Sequence, residues 1–473
     1  MRTGCLFFEK GAAMKNKSAP EAADAKAIAK AIMENVYFIS LGCAKNRVDS
    51  EHMLGLLKAE GCRVVPRLED ADVAVVNTCG FIQSAVEETI DTILEVCSKK
   101  GKGPLKRVFV AGCFVQRYGY KLLNEMPEVD GWLGTGEIHR IAEILRDPPG
   151  EAPRFHINRP LYLADHHSPR VQTTPFYSAY LKLAEGCSHR CSYCLIPALT
   201  GPFRSRSPES IVTEAENMVE RGVKEINLVA QDTTMYGRDL DGHVGLENLL
   251  EGLLEIPDIQ WIRLFYCHPR RISNRLLRLL DEDNALCPYL DIPFQHVDPT
   301  ILGKMGRGGE GESPGNLIER IRSRTSRLAL RTSLMVGFPG ETDQAFQNLV
   351  DFVRWAAFDH LGTFIFSPEK GTPAARLKDP VPSEVAEERR KILMAAQAAI
   401  SKRKNREMLQ KTVPVLVEGL SEETDLLLRG RTAGMAPEVD GQVLINKGGG
   451  MVGEIVPVLI TEAHTYDLVG EIL

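Results

Sequence analysis

The chain has 473 residues, of which 44% are hydrophobic and 25% charged, and a formal net charge of −6. This length predicts two to four domains with ordinary globular cores, and the net charge gives no whole-chain sign of a nucleic-acid-binding protein. Apolar runs stay shorter than the roughly 20 residues of a membrane-spanning helix, so we expect no membrane association. Eleven cysteines without a secretory signal favour a reducing cytoplasm, with metal ligation rather than disulfides.

The start of the chain differs in composition from the remainder of the sequence. Residues 19–31 are rich in alanine and carry several lysines, whereas the segment from Met33 to Cys43 is more typical of a natural beginning. We expect residues 1–35 to form a flexible extension, of which the first 32 residues are dispensable for folding.

Between residues 36 and 148, buried strand runs alternate with helical stretches. Continuous apolar strands separated by helices predict a parallel sheet that is covered on both faces. The sequence therefore predicts an N-terminal α/β domain. The predicted strands cover residues 36–41, 72–77 and 107–111, and the predicted helices cover residues 48–59, 82–98 and 118–126.

Each of these three strands is followed by a cysteine next to a glycine, at Cys43, Cys79 and Cys113. Ligands of a parallel sheet gather outside the carboxyl ends of its strands, and glycine lets the backbone approach a bulky ligand closely. One such cysteine alone is more typical of core packing. Three at matching strand ends, here called the N-terminal triad, predict the ligands of an iron–sulfur cluster in which one iron has no protein ligand.

Residues 149–177 have the composition of a linker. The segment contains five prolines and Gly150, which predicts an extended connection. Its neighbouring His166 and His167 are candidate metal ligands. A histidine pair without further ligands is, however, more typical of a solvated loop.

From residue 178 to residue 407, six strand–helix units succeed one another. Six consecutive units predict an open, incomplete version of the eight-unit TIM barrel, with its site at the mouth formed by the carboxyl ends of the strands. The predicted strands lie near residues 180–184, 225–230, 261–265, 289–292, 329–335 and 360–366, and the helices near 209–221, 246–254, 271–280, 314–327, 344–356 and 383–404.

Three cysteines come after the first barrel strand with C-x₃-C-x₂-C spacing, at Cys187, Cys191 and Cys194. This loop triad can hold three corners of a four-iron cluster, and the fourth iron is then open for chemistry. A zinc knuckle is the alternative, although zinc sites usually combine two C-x₂-C pairs or nearby histidines. Polar side chains end later strands at the same mouth, at residues 231–232, 268, 295–296 and 337–341.

Residues 408–473 predict a small, barrel-like β domain of about five strands. This terminal module contains four basic residues and ten acidic ones. Because phosphate binding needs lysine and arginine on the docking face, we expect no strong RNA-binding surface here. A basic protein is the partner that this charge favours.

The C-x₃-C-x₂-C motif is the signature of the radical S-adenosylmethionine enzymes, and the surrounding sequence resembles their methylthiotransferase branch. The resemblance covers residues 36–473, and its terminal module is similar to the TRAM domain of that family. Residues 430–432 and 436–441 are most similar to the RimO type, which modifies an aspartate of small-subunit ribosomal protein S-twelve. The segments that carry the resemblance are 40–46, 77–82, 112–113, 184–194, 203–206, 231–232, 293–296 and 337–341.

The resemblance implies two [4Fe–4S] clusters and two molecules of S-adenosylmethionine per turnover. The cluster on the loop triad would bind S-adenosylmethionine and yield a 5′-deoxyadenosyl radical, which removes hydrogen from the β-carbon of the aspartate. The cluster on the N-terminal triad would hold the sulfur, which is methylated before it joins the substrate. The cofactor supplies the difficult step, and the protein supplies orientation and a dry cavity.

The resemblance also suggests residues that contact the cofactor, and each has a competing structural interpretation. Tyr193 would pack on the adenine or simply in the core. Arg204 and Arg206 would bind the S-adenosylmethionine carboxylate or the substrate aspartate, or form an exposed basic turn. The strand ends at Gln231 and at 337–341 would contact the cofactor or only cap loops. The complete candidate set is Tyr193, Arg204, Arg206, Gln231, Gly337 and Glu341, with no side chain assigned as a catalytic acid or base.

The implied partners are ribosomal protein S-twelve or the small ribosomal subunit, and an electron donor such as flavodoxin or ferredoxin. Two alternatives remain open: a tRNA adenosine methylthiotransferase of the sister MiaB type, and a non-catalytic iron–sulfur carrier. Five cysteines match no motif, namely Cys5, Cys62, Cys97, Cys267 and Cys287.

Overall fold

The computed structural model describes residues 34–146, 154–242, 244–282, 285–309, 311–325 and 327–473. The predicted extension at residues 1–35 therefore lies almost wholly outside the described residues. Among the described residues, no helix combines the length and apolarity needed to cross a membrane.

The N-terminal unit is a six-stranded, fully parallel sheet with the strand order β2-β1-β3-β4-β5-β6. Every residue of its two central strands is buried. Alternate residues of these strands pack into separate cores on the two faces, as Val76 and Val75 do. This confirms the predicted sheet. The strands are β1 (Asn35–Ser40), β2 (Arg63–Val64), β3 (Val73–Thr78), β4 (Arg107–Gly112), β5 (Gly131–Leu133) and β6 (Arg154–His156).

The helices of this unit differ from the prediction after β4. The helix expected at residues 118–126 is present as a 3-10 turn (Gly119–Lys121) and a short helix (Leu122–Glu125), and it is preceded by a helix that was not predicted and that begins at Cys113 itself. Gly112 adopts a φ of +99°, which a residue with a side chain rarely adopts, and so the chain can turn directly from strand to helix. The helices are α1 (Ala44–Ala59), α2 (Gln83–Lys99), α3 (Cys113–Tyr118), α4 (Leu122–Glu125) and α5 (Ile141–Arg146).

Strand β6 lies within the segment predicted to be a linker. It pairs with β5 in a register that places Arg154 beside Gly131, and it forms the edge of the N-terminal sheet. A partly buried strand of three residues has too few positions for hydrophobic alternation to reveal it. The N-terminal unit therefore extends into residues 154–156.

The barrel is a second parallel sheet of six strands, ordered β14-β13-β12-β11-β10-β7. Its strands are arranged in sequence order, and the sheet is open between its two edge strands, as predicted for an incomplete barrel. A two-stranded ribbon of β8 (Ala184–Glu185) and β9 (Arg204–Ser205) sits beside it. The main strands are β7 (Ser178–Lys182), β10 (Glu225–Val229), β11 (Trp261–Leu264), β12 (Leu286–Asp291), β13 (Ala329–Val336) and β14 (His360–Ile365).

A large apolar core lies between the barrel sheet and its outer helices. The short helices at residues 196–200 and 299–304 lie in loops, and each of the other six helices lies between two successive strands of the chain. They are α6 (Ile196–Thr200), α7 (Pro208–Glu220), α8 (Leu246–Leu254), α9 (Asn274–Glu282), α10 (Pro299–Lys304), α11 (Pro314–Arg324), α12 (Asp343–Ala356) and α13 (Ser383–Arg406).

The terminal module is a closed five-stranded barrel with the order β15-β16-β17-β19-β18. Closure removes the free edges through which small sheets associate. This confirms the predicted β domain. Its strands are β15 (Thr412–Leu420), β16 (Leu428–Thr432), β17 (Val443–Lys447), β18 (Ile455–Ala463) and β19 (Leu468–Ile472).

Buried ion pairs attach the terminal module to the barrel. Arg431 Nη2 donates to Glu225 Oε2 at 2.6 Å, and Arg263 Nη2 donates to Glu225 Oε1 at 3.1 Å. Burial alone would raise the pKa of Glu225, but the two arginines outweigh it and lower the pKa to about 2. Asp440 likewise accepts a hydrogen bond from Tyr289 Oη at 2.9 Å. The RimO-like segments 430–432 and 436–441 thus include residues that hold the module in place.

Candidate functional site

A cavity of about 740 Å³ separates the N-terminal unit from the mouth of the barrel. Both cysteine triads open into it. The cavity is more apolar than polar on its surface, since β14 contributes aromatic and aliphatic side chains to its wall. The six cysteines that line it are Cys43, Cys79, Cys113, Cys187, Cys191 and Cys194.

The N-terminal triad is assembled by the register of the parallel sheet. Ser40 of β1 pairs with Asn77 of β3, and Asn77 pairs with Ala111 of β4. Cys43 comes three residues after Ser40, and Cys79 and Cys113 come two residues after Asn77 and Ala111. All three cysteines therefore lie just beyond the same row of paired strand residues. Burial raises the pKa of the Cys79 thiol, and raises that of the Cys113 thiol well above its usual range.

Two glycines make room for this triad. Gly42 has a φ of +94°, and a Cβ atom there would lie 2.9 Å from the Cβ of Cys79. A Cβ on Gly112 would lie 2.4 Å from Asn77 Oδ1. Asn77 itself holds α1 against the sheet, because its Nδ2 donates to Asn46 O at 3.0 Å and to Ser50 Oγ at 2.8 Å.

The loop triad is held by local hydrogen bonds. The Cys187 N–H donates to Gly201 O at 3.1 Å, and the Cys194 N–H donates to Cys191 O at 3.2 Å. The Ile196 N–H points at Cys194 Sγ from 3.4 Å. Burial raises the pKa of the Cys194 thiol to about 12, so a thiolate at this position requires a cation bound to it.

The arrangement fits an iron–sulfur cluster better than a zinc ion. Among the described residues, no three His, Cys, Asp or Glu side chains are close enough to hold a single metal ion, whereas zinc thiolates all lie about 2.3 Å from the metal. No described cysteine beyond the two triads lines the cavity. Three thiolates without a fourth cysteine are the donor set expected of a four-iron cube with one open iron.

The barrel strand ends place a polar cluster beside the loop triad. His189 Nε2 lies 2.6 Å from Asp232 Oδ2, and Arg271 Nη1 donates to the same oxygen at 3.2 Å. The His189 ring stacks on His268 at 4.5 Å between centroids. Burial lowers the pKa of His268 to about 3, so this ring is neutral near pH 7. The cluster presents one buried carboxylate and two imidazoles to the cavity, and the Arg271 guanidinium contacts that carboxylate from outside the cavity lining.

Three of the six candidate cofactor residues line the cavity, namely Tyr193, Arg204 and Gln231. The Arg204 guanidinium donates to the carbonyl oxygens of Pro202 at 2.6 Å and Thr200 at 3.4 Å. No described acidic side chain forms an ion pair with it, and burial lowers its pKa. Its charge is therefore available to an anion in the cavity.

The other three candidates do not line the cavity, so their positions do not support cofactor contact. Arg206 is buried against α7, where its Nη1 pairs with Glu214 Oε2 at 2.6 Å. Glu341 accepts a hydrogen bond from Arg389 Nη1 at 3.0 Å. A Cβ on Gly337 would lie 2.7 Å from the Cβ of Ala386. Glu341 and Gly337 lie in a packed turn behind the barrel mouth, in line with the loop-capping alternative, whereas Arg206 is buried and does not form the exposed basic turn that was the alternative for it.

Backbone strain marks two neighbouring strand ends in the cavity. Tyr266 lies just after β11 with a φ of +57°, and Gln295 lies after β12 with a φ of +68°. Residues with side chains rarely adopt this conformation, and where they do the site is often functional. Lys45 Nζ lies 3.4 Å from the centre of the Tyr266 ring, so a cation from the N-terminal unit packs on the strained barrel residue.

Two ion pairs join the N-terminal unit to the barrel across the cavity. Arg117 Nη2 of α3 lies 2.5 Å from Glu369 Oε2, and both side chains are at most 10% exposed. On the other side, Lys182 pairs with Asp49 of α1 and, at 2.6 Å, with Glu185. These pairs fix the two triads relative to each other.

Sequence reasoning missed Lys45, Arg117, Arg307 and the Asp49–Lys182 pair. Arg307 Nη1 lies 3.9 Å from Cys191 Sγ and donates to Tyr193 Oη at 3.3 Å. Burial by itself lowers the pKa of Arg307, but Tyr193 and Cys191 outweigh it and raise the pKa. Only Lys45 had a usable signal, since it stands two residues after Cys43. Arg307 is far in sequence from both triads.

Family models match three successive parts of the chain. Residues 35–134 match the Uncharacterized protein family UPF0004, residues 181–353 match the Radical SAM superfamily, and residues 411–473 match the TRAM domain. Radical SAM enzymes use an iron–sulfur cluster and S-adenosylmethionine, in agreement with the donor set of the cavity.

Curated relatives extend over nearly the whole chain. Ribosomal protein uS12 methylthiotransferase RimO of Geotalea uraniireducens is 47% identical over 443 residues, which are 93% of this chain and 99% of the relative. The protein of that name from Syntrophobacter fumaroxidans is 48% identical over 443 residues, again 93% and 99% of the two chains. The chain belongs to the RimO family of radical S-adenosylmethionine methylthiotransferases. The RimO family assignment confirms the predicted resemblance and the predicted enzyme class.

Solved structures confirm the fold of this RimO-family chain. TsrM of Kitasatospora setae, a radical S-adenosylmethionine methyltransferase solved with cobalamin and a [4Fe–4S] cluster, has a TM-score of 0.52. The match covers 72% of this chain and 77% of TsrM at 16% identity. A second TsrM structure, with tryptophan substrate and an S-adenosylmethionine analogue, has a TM-score of 0.51 over 70% of this chain and 72% of that chain at the same identity.

Proposed function

We propose that this protein adds a methylthio group to the β-carbon of an aspartate in ribosomal protein uS12, the small-subunit protein S-twelve. The observation that carries the proposal is the single cavity into which both cysteine triads open. Sulfur insertion needs one centre that activates the substrate and another that donates sulfur, and both must reach the same carbon. The relatives that share 93% of the chain carry the uS12 methylthiotransferase name.

We assign one [4Fe–4S] cluster to each triad. The cluster on the loop triad would bind S-adenosylmethionine at its open iron, and the cluster on the N-terminal triad would hold the sulfur to be transferred. When bound, these groups supply a radical that can remove hydrogen from an unactivated carbon and a sulfur that can accept a methyl group, with two molecules of S-adenosylmethionine used per turnover.

The chain itself supplies anion binding within the cavity. Arg204 and Lys45 form no ion pair with an acidic side chain among the described residues, and both line the cavity. A cation in such surroundings is stabilised by an anion that binds beside it. We propose that Arg204 binds the carboxylate of S-adenosylmethionine or of the substrate aspartate, with Tyr193 and Gln231 contacting the cofactor.

The chain also excludes water from the reaction. Phe364, Ile365 and Phe366 line the cavity on the side of β14. Apolar walls keep water away from a reactive carbon radical and strengthen the electrostatic interactions inside. The ion pairs of Arg117 with Glu369 and of Lys182 with Asp49 would hold the two clusters at a fixed separation.

The terminal module favours a protein substrate over an RNA. Arg429 and Arg431 are paired with Glu422 and Glu418 within the module, so neither is free for phosphate. Exposed acidic side chains and the 88% exposed Leu426 lie on the same module. We propose that this acidic and apolar edge faces a basic protein and has no strong affinity for RNA. The exposed acidic residues of the module are Glu422, Glu423, Asp425, Glu438, Glu454 and Glu462.

Three further proposals concern the domain boundaries, the cellular compartment and the electron donor. We propose domains at residues 35–156, 178–407 and 408–473, with 157–177 as the connection and the residues before 35 as an extension. All ten described cysteines are free, which suits a reducing cytoplasm. A flavodoxin or ferredoxin would deliver the electrons.

Product analysis tests the function directly. The anaerobically reconstituted protein is incubated with S-adenosylmethionine, dithionite and either uS12, assembled small subunits or tRNA, and products are identified by mass spectrometry. We expect replacement of one hydrogen of a uS12 aspartate by a methylthio group, together with 5′-deoxyadenosine. Modification of tRNA instead would establish the MiaB-type alternative. Absence of 5′-deoxyadenosine under all conditions would establish an iron–sulfur carrier.

A further inference from the structure

Arg307 is a cation inside the cavity whose charge no described acidic side chain balances. Two other basic side chains of the cavity are paired, since Lys182 contacts two carboxylates and Arg390 contacts Glu387 at 2.5 Å. Lys45 and Arg204 also lack such a partner, but neither hydrogen-bonds a cysteine. A cation that is partly withdrawn from water is stabilised by a nearby anion. The environment of Arg307 therefore favours an anion at the loop triad.

The Arg307 guanidinium makes polar contacts with two side chains of the cysteine loop and with one backbone carbonyl. Nη1 lies 3.9 Å from Cys191 Sγ and 3.3 Å from Tyr193 Oη, and Nη2 donates to Pro293 O at 3.0 Å. The guanidinium therefore faces one side of the position that a cluster on the loop triad would occupy.

The backbone holds Arg307 in this place. Gly306 has a φ of +70°, and a Cβ atom there would lie 2.6 Å from Arg190 O, within the cysteine loop. The Ser192 N–H donates to Met305 O at 2.9 Å, and the Arg307 N–H donates to Leu302 O at 2.8 Å. The end of α10 and the cysteine loop are thus fastened together, and the charge is fixed relative to the thiols.

The described residues around the N-terminal triad include no guanidinium that hydrogen-bonds a thiol. Among the described residues, no side chain donates a hydrogen bond to the thiols of Cys43, Cys79 or Cys113, whereas Cys191 faces a guanidinium. Lys45 packs on the Tyr266 ring and lies close enough to Cys43 for their charges to interact, but it donates no hydrogen bond to that thiol. The two triads therefore offer different hydrogen-bonding surroundings to clusters of the same type.

We propose that Arg307 is a positioning residue that raises the reduction potential of the cluster on the loop triad. One electron passes from an external donor of the flavodoxin or ferredoxin class to that cluster, with no bond formed or broken. The electron adds one negative charge, which a fixed cation nearby stabilises, and hydrogen bonds to cluster sulfurs act in the same direction. The inference rests on the proposed cluster and not on the identity of the substrate.

Reductive titration of the full-length chain tests the proposal. In a Cys43→Ala, Cys79→Ala, Cys113→Ala background, only the loop cluster remains, and its reduction by dithionite is monitored by electron paramagnetic resonance without S-adenosylmethionine. Arg307→Met is expected to lower the equilibrium constant for reduction at least tenfold, a shift of about 59 mV to more negative potential. Arg307→Lys, which keeps the charge, is expected to shift the potential less.

Two controls make the effect specific. Arg390→Met removes another cavity arginine that contacts no cysteine, and we expect it to leave the potential unchanged. In the reciprocal background, with Cys187, Cys191 and Cys194 replaced by alanine, Arg307→Met should leave the N-terminal cluster unchanged. An equal shift in both backgrounds, or no shift in the first, would overturn the proposal.

Loss of the cluster from the Arg307 variants would indicate a structural role rather than an effect on the reduction potential. Arg307→Gln is measured beside Arg307→Met, because its amide can still donate to Tyr193. If iron content falls in both neutral variants, Arg307 is a structural residue and the proposal fails. If the chain with native Arg307 assembles no cluster at all, the proposed function fails instead, so the two failures are distinguishable.

Discussion

The two cysteine triads reach one cavity by different routes. The loop triad lies within eight residues and is held by hydrogen bonds inside the 187–201 segment, as from Cys187 N–H to Gly201 O. The N-terminal triad comes from three chain segments separated by more than thirty residues each, and the register of β1, β3 and β4 brings it together. The loop triad therefore depends on local geometry, and the N-terminal triad depends on a whole sheet. A substitution that disrupts one triad should leave the other intact.

The largest separation is expected from a single cysteine. Cys191→Ala removes one corner of the loop triad and leaves the N-terminal sheet untouched. We expect complete loss of 5′-deoxyadenosine formation, while the iron on the N-terminal triad remains. Iron analysis and product chromatography measure the two quantities in one sample. Loss of iron from both triads would contradict their independence.

A backbone substitution should damage the other triad selectively. Gly112→Ala introduces a Cβ 2.4 Å from Asn77 Oδ1 in a left-handed conformation, which we expect to cost about 2–5 kcal/mol of stability. Iron on the N-terminal triad should fall, while 5′-deoxyadenosine formation persists.

Gly119→Ala is the matched control for Gly112→Ala. Gly119 also has positive φ, at +62°, but a Cβ there would meet no atom within 4 Å. The strain alone should cost about 1–2 kcal/mol, with little change in iron content. Equal loss of iron in both variants would show that positive φ, rather than the crowding at Asn77, explains the result.

The pair of Arg117 with Glu369 tests how the triads are coupled. Arg117→Gln leaves the Glu369 carboxylate buried without its partner, which we expect to destabilise the protein by about 3 kcal/mol. Misplacement of the two units by about 1 Å should slow methylthio transfer by about a hundredfold, while uncoupled 5′-deoxyadenosine formation continues. Arg275→Gln, in an exposed pair with Glu251, is expected to change stability by at most about 1 kcal/mol. A parallel fall of both products in Arg117→Gln would contradict a coupling role.

The buried ion pairs of Glu225 with Arg431 and Arg263 lie away from the cavity, so their loss should affect the two triads equally. The pKa of Glu225 is about 2 in the folded protein and about 4.3 in an unfolded chain. Its contribution, on the order of 3 kcal/mol, is therefore fully present above pH 5 and is lost as pH falls from about 4.3 towards 2. Urea unfolding of the cluster-free chain against pH should show this loss, and Glu225→Gln should remove it. A pH dependence unchanged by Glu225→Gln would refute the assignment.

The same comparison explains what the sequence could reveal. The loop triad is visible as a spacing, and the N-terminal triad is visible because each cysteine comes after a buried strand. Arg307 and the Arg117–Glu369 pair were not predictable, because each contact joins segments brought together only by tertiary structure. The helix that starts at Cys113 was not predicted, because Gly112 permits an immediate turn from strand to helix. Arg206 and Glu341 lie within motifs of the family but bind neighbouring side chains, so motif membership alone could not define their role.

The most direct test of the two-cluster account is the iron content of the triad variants after anaerobic reconstitution. The unsubstituted chain should bind about eight irons and eight sulfides, and each triple cysteine-to-alanine variant about four. The variant lacking Cys43, Cys79 and Cys113 should still form 5′-deoxyadenosine without transferring a methylthio group. About four irons in the unsubstituted chain, or loss of all iron when either triad is removed, would contradict the account.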